Sequence, residues 1–203
     1  MSYKTFVSMN IAIIGTGKTA EAYAASYAVA GHEIFLASRH GLKPAGRSAL
    51  EAFDNIVQCS IEEAAKEADI ILISAEPKEI REIAYWLGDV RKKVIIDASA
   101  NMLTGSDEQV NTAGAIKAIT GSPYIVKVFS TKDYRQILKP YFKSDEIKWI
   151  MAGDCKKAKE ATKILATDLG VSSFIDLGES ESIPLFDELT KNWRKQAIEK
   201  SNQ

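Results

Sequence analysis

A formal net charge of -1 over 203 residues offers no field to gather a polyanion, so nothing in the composition supports binding of nucleic acid. Hydrophobic residues reach 46%, yet no apolar run approaches the ~20 residues that span a bilayer, and the expected compartment is the cytoplasm, with no membrane partner. The two cysteines, Cys59 and Cys155, form no CxxC pair, which gives neither a zinc site nor a disulfide framework and predicts reduced thiols and no bound metal.

Residues 1–8 read as a polar-mixed extension of no assigned role, and 9–203 as a single domain. Along the chain, short apolar runs alternate with amphipathic stretches. Strand Ile11–Ile14 leads to a helix over Thr19–Ala30 that stops at Gly31, and His32 then reads as a surface turn residue before strand Ile34–Ala37. Ser60, with Glu63 three places on, opens a helix over Ile61–Ala68 as a capping box. Strands follow at Ile70–Ser74 and Val94–Ile96, then a polar stretch, Gly105–Gly121, that holds a loop around a short helix. Further runs lie at Ile125–Val128, Trp149–Met151 and Ser173–Leu177. Helix Lys156–Leu169 ends at Gly170, and an amphipathic helix over Pro184–Lys200 closes the chain. Strands that are apolar throughout must be covered on both faces. The predicted fold is therefore α/β, a Rossmann-type doubly wound, mostly parallel sheet with helices on both faces.

The first strand runs straight into Gly15-Thr16-Gly17-Lys18-Thr19-Ala20, a GxGxxA turn opening a helix. Gly15 allows the tight turn, Gly17 lets a pyrophosphate approach the backbone, and Ala20 lets helix and strand pack closely. Thr16, Lys18 and Thr19 complete the wall around amide groups that carry about half a positive charge. The same residues fit a relaxed phosphate-binding P-loop starting at Ala12, with Val94–Asp97 in place of a magnesium-facing strand. That reading would turn Ile13 and Ile14 into exposed loop, at roughly 1.5 to 3 kcal/mol each, so dinucleotide binding is preferred over nucleotide triphosphate hydrolysis.

An NAD site places a carboxylate at the end of the second strand to hold the ribose 2′-hydroxyl. Here that strand ends in Ser38, Arg39 and His40, with Lys43 beyond. A guanidinium bonded to a 2′-phosphate contributes about 1.5 to 3 kcal/mol, which makes NADP(H) the expected cofactor.

With these marks the sequence resembles the short NADPH-dependent reductases related to the enzyme that passes hydride between NADP and the deazaflavin coenzyme F-420. The likeness runs through Ile11–Gly17, Ala30-Gly31-His32-Glu33, Ala37-Ser38-Arg39, Val126–Thr131 and Met151-Ala152-Gly153-Asp154. It implies a cofactor across the carboxyl ends of the strands, with Ser38 and Arg39 on the 2′-phosphate. It also implies that Ser74, Ala75, Glu76, Pro77, Ala98 and Ser99 border the cofactor, and that a second pocket takes a flavin, a deazaflavin or a similar small-molecule electron acceptor. Several positions depart from the family pattern. Lys18 stands where relatives often have Asn, Ala20 where they have Gly, Ser130 replaces the Asn of Phe-Asn-Thr, and the Asp176–Ser180 segment carries extra acid.

No catalytic residue is assigned. Hydride transfer to a flavin-like acceptor needs close stacking rather than an obligatory acid. Both histidines fall at the wrong end of the site, Lys127 reads as a strand-flanking lysine that could orient a substrate, and Asp97 as a strand-end cap or cofactor neighbour. A sensor or non-catalytic subunit that binds NADP(H) is the alternative of a different class. Leu185, Leu189 and Trp193 form a helical stripe that packs either in the core or in a homodimer interface.

Overall fold

The computed structural model describes residues 8–15, 17–39, 41, 51–99, 111–130 and 147–189. Thr16, His40, Lys43, Trp193, the extension over 1–7 and the chain beyond 189 lie outside the described residues.

The strands are β1 (Asn10–Ile14), β2 (Glu33–Ala37), β3 (Ile56–Gln58), β4 (Ile70–Ile73), β5 (Val94–Asp97), β6 (Ile125–Ser130), β7 (Ile147–Ala152) and β8 (Val171–Asp176). They join one sheet in the order β3-β2-β1-β4-β5-β6-β7-β8. The helices are α1 (Lys18–Val29), α2 (Ile61–Glu67), α3 (Ile80–Trp86), α4 (Thr112–Thr120) and α5 (Lys156–Thr167), with α6 over residues 183–189. None of the described helices is long and apolar enough to cross a membrane.

The central strand shows why the sheet reads as unbroken apolar runs. β1 pairs in parallel with β2 on one side and β4 on the other, Ile13 standing opposite Leu36 and Leu72. Its side chains alternate between two cores. Ile11 and Ile13 pack with Tyr23, Tyr27 and Leu165 on one face, while Ala12 and Ile14 pack with Ile80, Ile116 and Phe186 on the other. Since the chain builds outward from β1 in both directions, a crevice opens at the carboxyl ends of β1 and β4, where open α/β sheets take their ligands.

Three features depart from the expectations. β3 and α3 were not anticipated, because β3 is three residues long and only Ile56 of it is buried. β7 runs antiparallel to β6, and β8 is parallel to β7; a run covered on both faces has the same composition in either direction. His32 is not a surface residue but fully buried. Its Nδ1 accepts from the Met9 amide at 3.3 Å, and its Nε2 lies 3.3 Å from an Asp168 oxygen, which ties the start of β1 to the end of α5.

Candidate dinucleotide site

The turn after β1 is fixed by backbone geometry. Gly15 has φ of +145° and donates its amide to the Ala37 carbonyl at 2.8 Å, and a Cβ placed on it would lie 2.1 Å from the Ser74 carbonyl oxygen. Two further bonds, Ser74 N–H to Ile14 O and Ala98 N–H to Ile73 O, each 2.9 Å, lock the carboxyl ends of β1, β4 and β5 together. Gly15 is thus a glycine because the sheet requires one.

Gly17 differs. It caps α1 with φ of -80°, a conformation open to any residue, and a Cβ on it would meet nothing within 4 Å among the described residues. Gly17 brings no side chain to cap this helix end, and the positive end of the α1 dipole faces the same side. Space beside Gly17 and a helix start without a side-chain cap together suit the pyrophosphate of a dinucleotide. Lys18 is exposed and Thr19 half-buried on the same first turn. The P-loop reading is overturned here, since Ala12, Ile13 and Ile14 are fully buried inside β1 and bonded into the ladder.

At the end of β2, Ser38 donates its hydroxyl to the Gly41 carbonyl at 2.6 Å, and Gly41 has φ of +75°. Arg39 is half-buried against two carboxylates. Its Nη2 lies 3.5 Å from Glu79 Oε1 and its Nη1 donates to Glu82 Oε2. Sequence reading missed both glutamates. Glu76, Glu79 and Glu82 do recur at helical spacing, but nothing local says that the 77–79 turn and α3 come alongside the end of β2. In the loop after β4, Ser74, Ala75 and Pro77 are half-buried and Glu76 is exposed, paired with Lys78 at 2.6 Å.

The loop after β5 is pinned from below. Ser99 N–H donates to Asp97 Oδ1 at 3.0 Å, and Ala75 N–H reaches Ser99 Oγ at 3.4 Å, so the two loops expected to border the cofactor, 74–77 and 98–99, touch each other. Lys127 is not solvated as strand-flanking lysines commonly are; it is 1% exposed. Its ammonium donates to Asp97 Oδ2 at 3.0 Å, Ser99 O at 2.8 Å and Thr112 Oγ1 at 2.5 Å, while Thr112 donates on to Asp97 Oδ2. All three ammonium hydrogens are engaged, so Lys127 positions the Ser99 loop rather than offering a proton. Asp187 on α6 lies in the same electrostatic neighbourhood. Burial pushes its carboxyl above the ordinary range, and Asp97 adds to that rise while Lys127 opposes it.

A cavity of about 220 Å³ opens beside this cluster, between α4, β6, the end of β7 and the start of α6, with Ala113, Lys117, Lys127, Gly153 and Ile183 in its wall. At its rim Asp154 receives Lys117 at 2.7 Å and the Ser180 amide at 2.7 Å, and these donors hold its carboxyl down at about 2. Exposed carboxylates of Asp154, Glu179 and Glu181 converge there within 4.8 Å of one another.

Residues 10–101 match the sequence profile of the family described as NADP oxidoreductase, coenzyme F-420-dependent. Over this segment, a little under half of the chain, the protein is similar to that family. The match covers the glycine turn, the Ser38-Arg39 pair and both loops after β4 and β5, and it sets the class of activity as an NAD(P)-dependent oxidoreductase of Rossmann type. Among solved structures, the fold is shared with a candidate F-420-dependent NADP reductase from Arthrobacter sp. FB24, at 19% identity and a TM-score of 0.75, covering 93% of each chain. A hypothetical protein from Sinorhizobium meliloti is similar at 20% identity and a TM-score of 0.70, over 87% of this chain and 88% of that one. An imine reductase from Aspergillus terreus, solved with NADPH4 and a dibenzazepine, aligns at 12% identity and a TM-score of 0.69, over 95% of this chain but 63% of its own length. At such identities these likenesses are of fold. No curated protein matches the chain in sequence.

Proposed function

We propose that this protein transfers hydride between NADP(H) and a small flavin, deazaflavin or similar acceptor. The observation that carries the reading is the uncapped head of α1 beside the open space at Gly17, at the carboxyl ends of β1 and β4. The α1 amides would hold the pyrophosphate, Ser38 and Arg39 the 2′-phosphate, and the 74–77 and 98–99 loops the ribose and ring side. Bound nicotinamide supplies the hydride. The protein's part is to orient it: Lys127, Asp97 and Thr112 fix Ser99 from inside the fold, and Ser99 in turn meets Ala75. The cavity beside Lys127 offers room for an acceptor. Its acidic rim favours an acceptor that presents no anionic tail on that side.

The finer parts of the reading are a cytoplasmic setting, residues 9–203 acting as one domain, and a homodimer. Leu185 and Leu189 are exposed, whereas Ile183, Phe186 and Asp187 turn inward, so the described part of the stripe is not core. A second copy covering that face is the arrangement we favour, and sedimentation at micromolar concentration tests it.

The deciding experiment uses NADPH deuterated on one face of its nicotinamide with a panel of acceptors. Expected are loss of label from one face only and, in Arg39→Ala, an affinity for NADPH weaker by roughly tenfold to a hundredfold with NADH little changed. NADPH binding without turnover across the whole panel would make the protein a binding module instead.

A further inference from the structure

Arg39 does not wait in solvent for a phosphate. Its guanidinium has 20% of its side-chain surface exposed and is shared between Glu79, 24% exposed, and Glu82, 44% exposed. These carboxylates come from the turn and helix that follow β4, whereas Arg39 follows β2. They meet only because β1 lies between β2 and β4 in the sheet. A second cation nearby, Lys78, is paired with Glu76.

We propose that Glu79 and Glu82 set the protein's preference between phosphorylated and unphosphorylated coenzyme, by competing with the 2′-phosphate for Arg39. The inference rests on the dinucleotide reading above. A guanidinium offers five N–H donors in one plane, and here its two terminal nitrogens face carboxylates. A dianionic phosphate arriving at the same nitrogens must displace at least one carboxylate and remain close to both, so part of its attraction to Arg39 is cancelled. NADH, with a hydroxyl in that position, meets no such competition. The pair thus lowers affinity for NADPH selectively and brings the two coenzymes nearer to parity than Arg39 alone would. A sequence carrying Ser38-Arg39 is then less strongly committed to NADPH than its motif suggests.

The experiment is calorimetric titration of NADPH and NADH into the wild type, Glu79→Gln, Glu82→Gln, Arg39→Ala and the pairwise combinations with Arg39→Ala. The glutamine variants keep shape and remove charge, and thermal melting confirms that each is folded. The expected result is that each glutamine variant binds NADPH roughly threefold to tenfold more tightly, as loss of a competing ion pair allows, with NADH changed less than about twofold. In the Arg39→Ala background the gain disappears, since the competition passes through that side chain. The proposal is overturned if NADPH binding is unchanged or weakened by Glu→Gln, if the gain persists without Arg39, or if NADH loses affinity, which would make the carboxylates ribose ligands. Failure of the parent reading looks different: Arg39→Ala itself would then leave NADPH and NADH affinities where they were.

Discussion

Gly15 and Gly17 stand two positions apart in one motif and answer to different forces. At Gly15 a side chain collides with the Ser74 carbonyl, and φ of +145° disfavours any L-residue. Gly15→Ala is expected to cost on the order of 2 to 4 kcal/mol in urea unfolding, through strain and overpacking in the sheet. Gly17→Ala meets no described neighbour within 4 Å and is expected to shift unfolding by less than about 1 kcal/mol, yet to weaken dinucleotide binding markedly. Titration of both variants beside their unfolding curves separates a glycine kept for the fold from one kept for the ligand. Lys127 makes a third case. Removing one member of a buried ion pair strands the other, so Lys127→Met should destabilise by about 3 to 5 kcal/mol, with Asp97 left buried beside Thr112. The sequence reads Lys127 as a flanking lysine because its partners stand 30 and 15 positions earlier.

Elements differ in how plainly they announce themselves. α2 is legible because its start signal is local. Ser60 accepts the Glu63 amide at 3.1 Å and Glu63 takes the Ser60 amide at 2.9 Å, all within four residues. α3 is harder to read, since its seven residues continue straight from a 3-10 turn without a side-chain cap of their own, and its buried face rests on Ile80, Ile83 and Ala84. α4 depends on Asn111 for its start and on Gly121, in the left-handed region, for its end. It is then tied to the turn before α6 by Asp154, which Lys117 and the Ser180 amide hold in its ionised form. Because the folded carboxyl sits at about 2, below its ordinary value of 3.8, this tie contributes fully above about pH 4 and is lost as pH falls towards 2. In Asp154→Asn the fall in the urea midpoint between pH 4 and pH 2 should be smaller than in the wild type. An identical acid limb in the two proteins would remove the tie from the account of stability.

Over the whole molecule, the order of strands makes the candidate site. β2 and β4 flank β1, so four separate stretches, after β1, β2, β4 and β5, finish at one crevice. A ligand that bridges them binds the folded state alone. NADPH at 100 times its dissociation constant should therefore stabilise the fold by about 2.7 kcal/mol in a thermal melt, whereas ATP with magnesium should leave the melt unchanged. A shift with ATP but none with NADPH would sink the dinucleotide reading.

The amino-acid order by itself determined the alternation of strand and helix, the glycine turn and the absence of a carboxylate at the end of β2, because each is a relation between near neighbours. Burial on both faces, tight-turn geometry and helix capping act within a few residues and leave their mark there. Tertiary structure alone decided the direction of β7, the burial of His32 and Lys127, and the meeting of Arg39 with Glu79 and Glu82. Those depend on which strands become adjacent, and the free energy that selects adjacency comes from contacts between parts of the chain tens of residues apart, where no local pattern can record it.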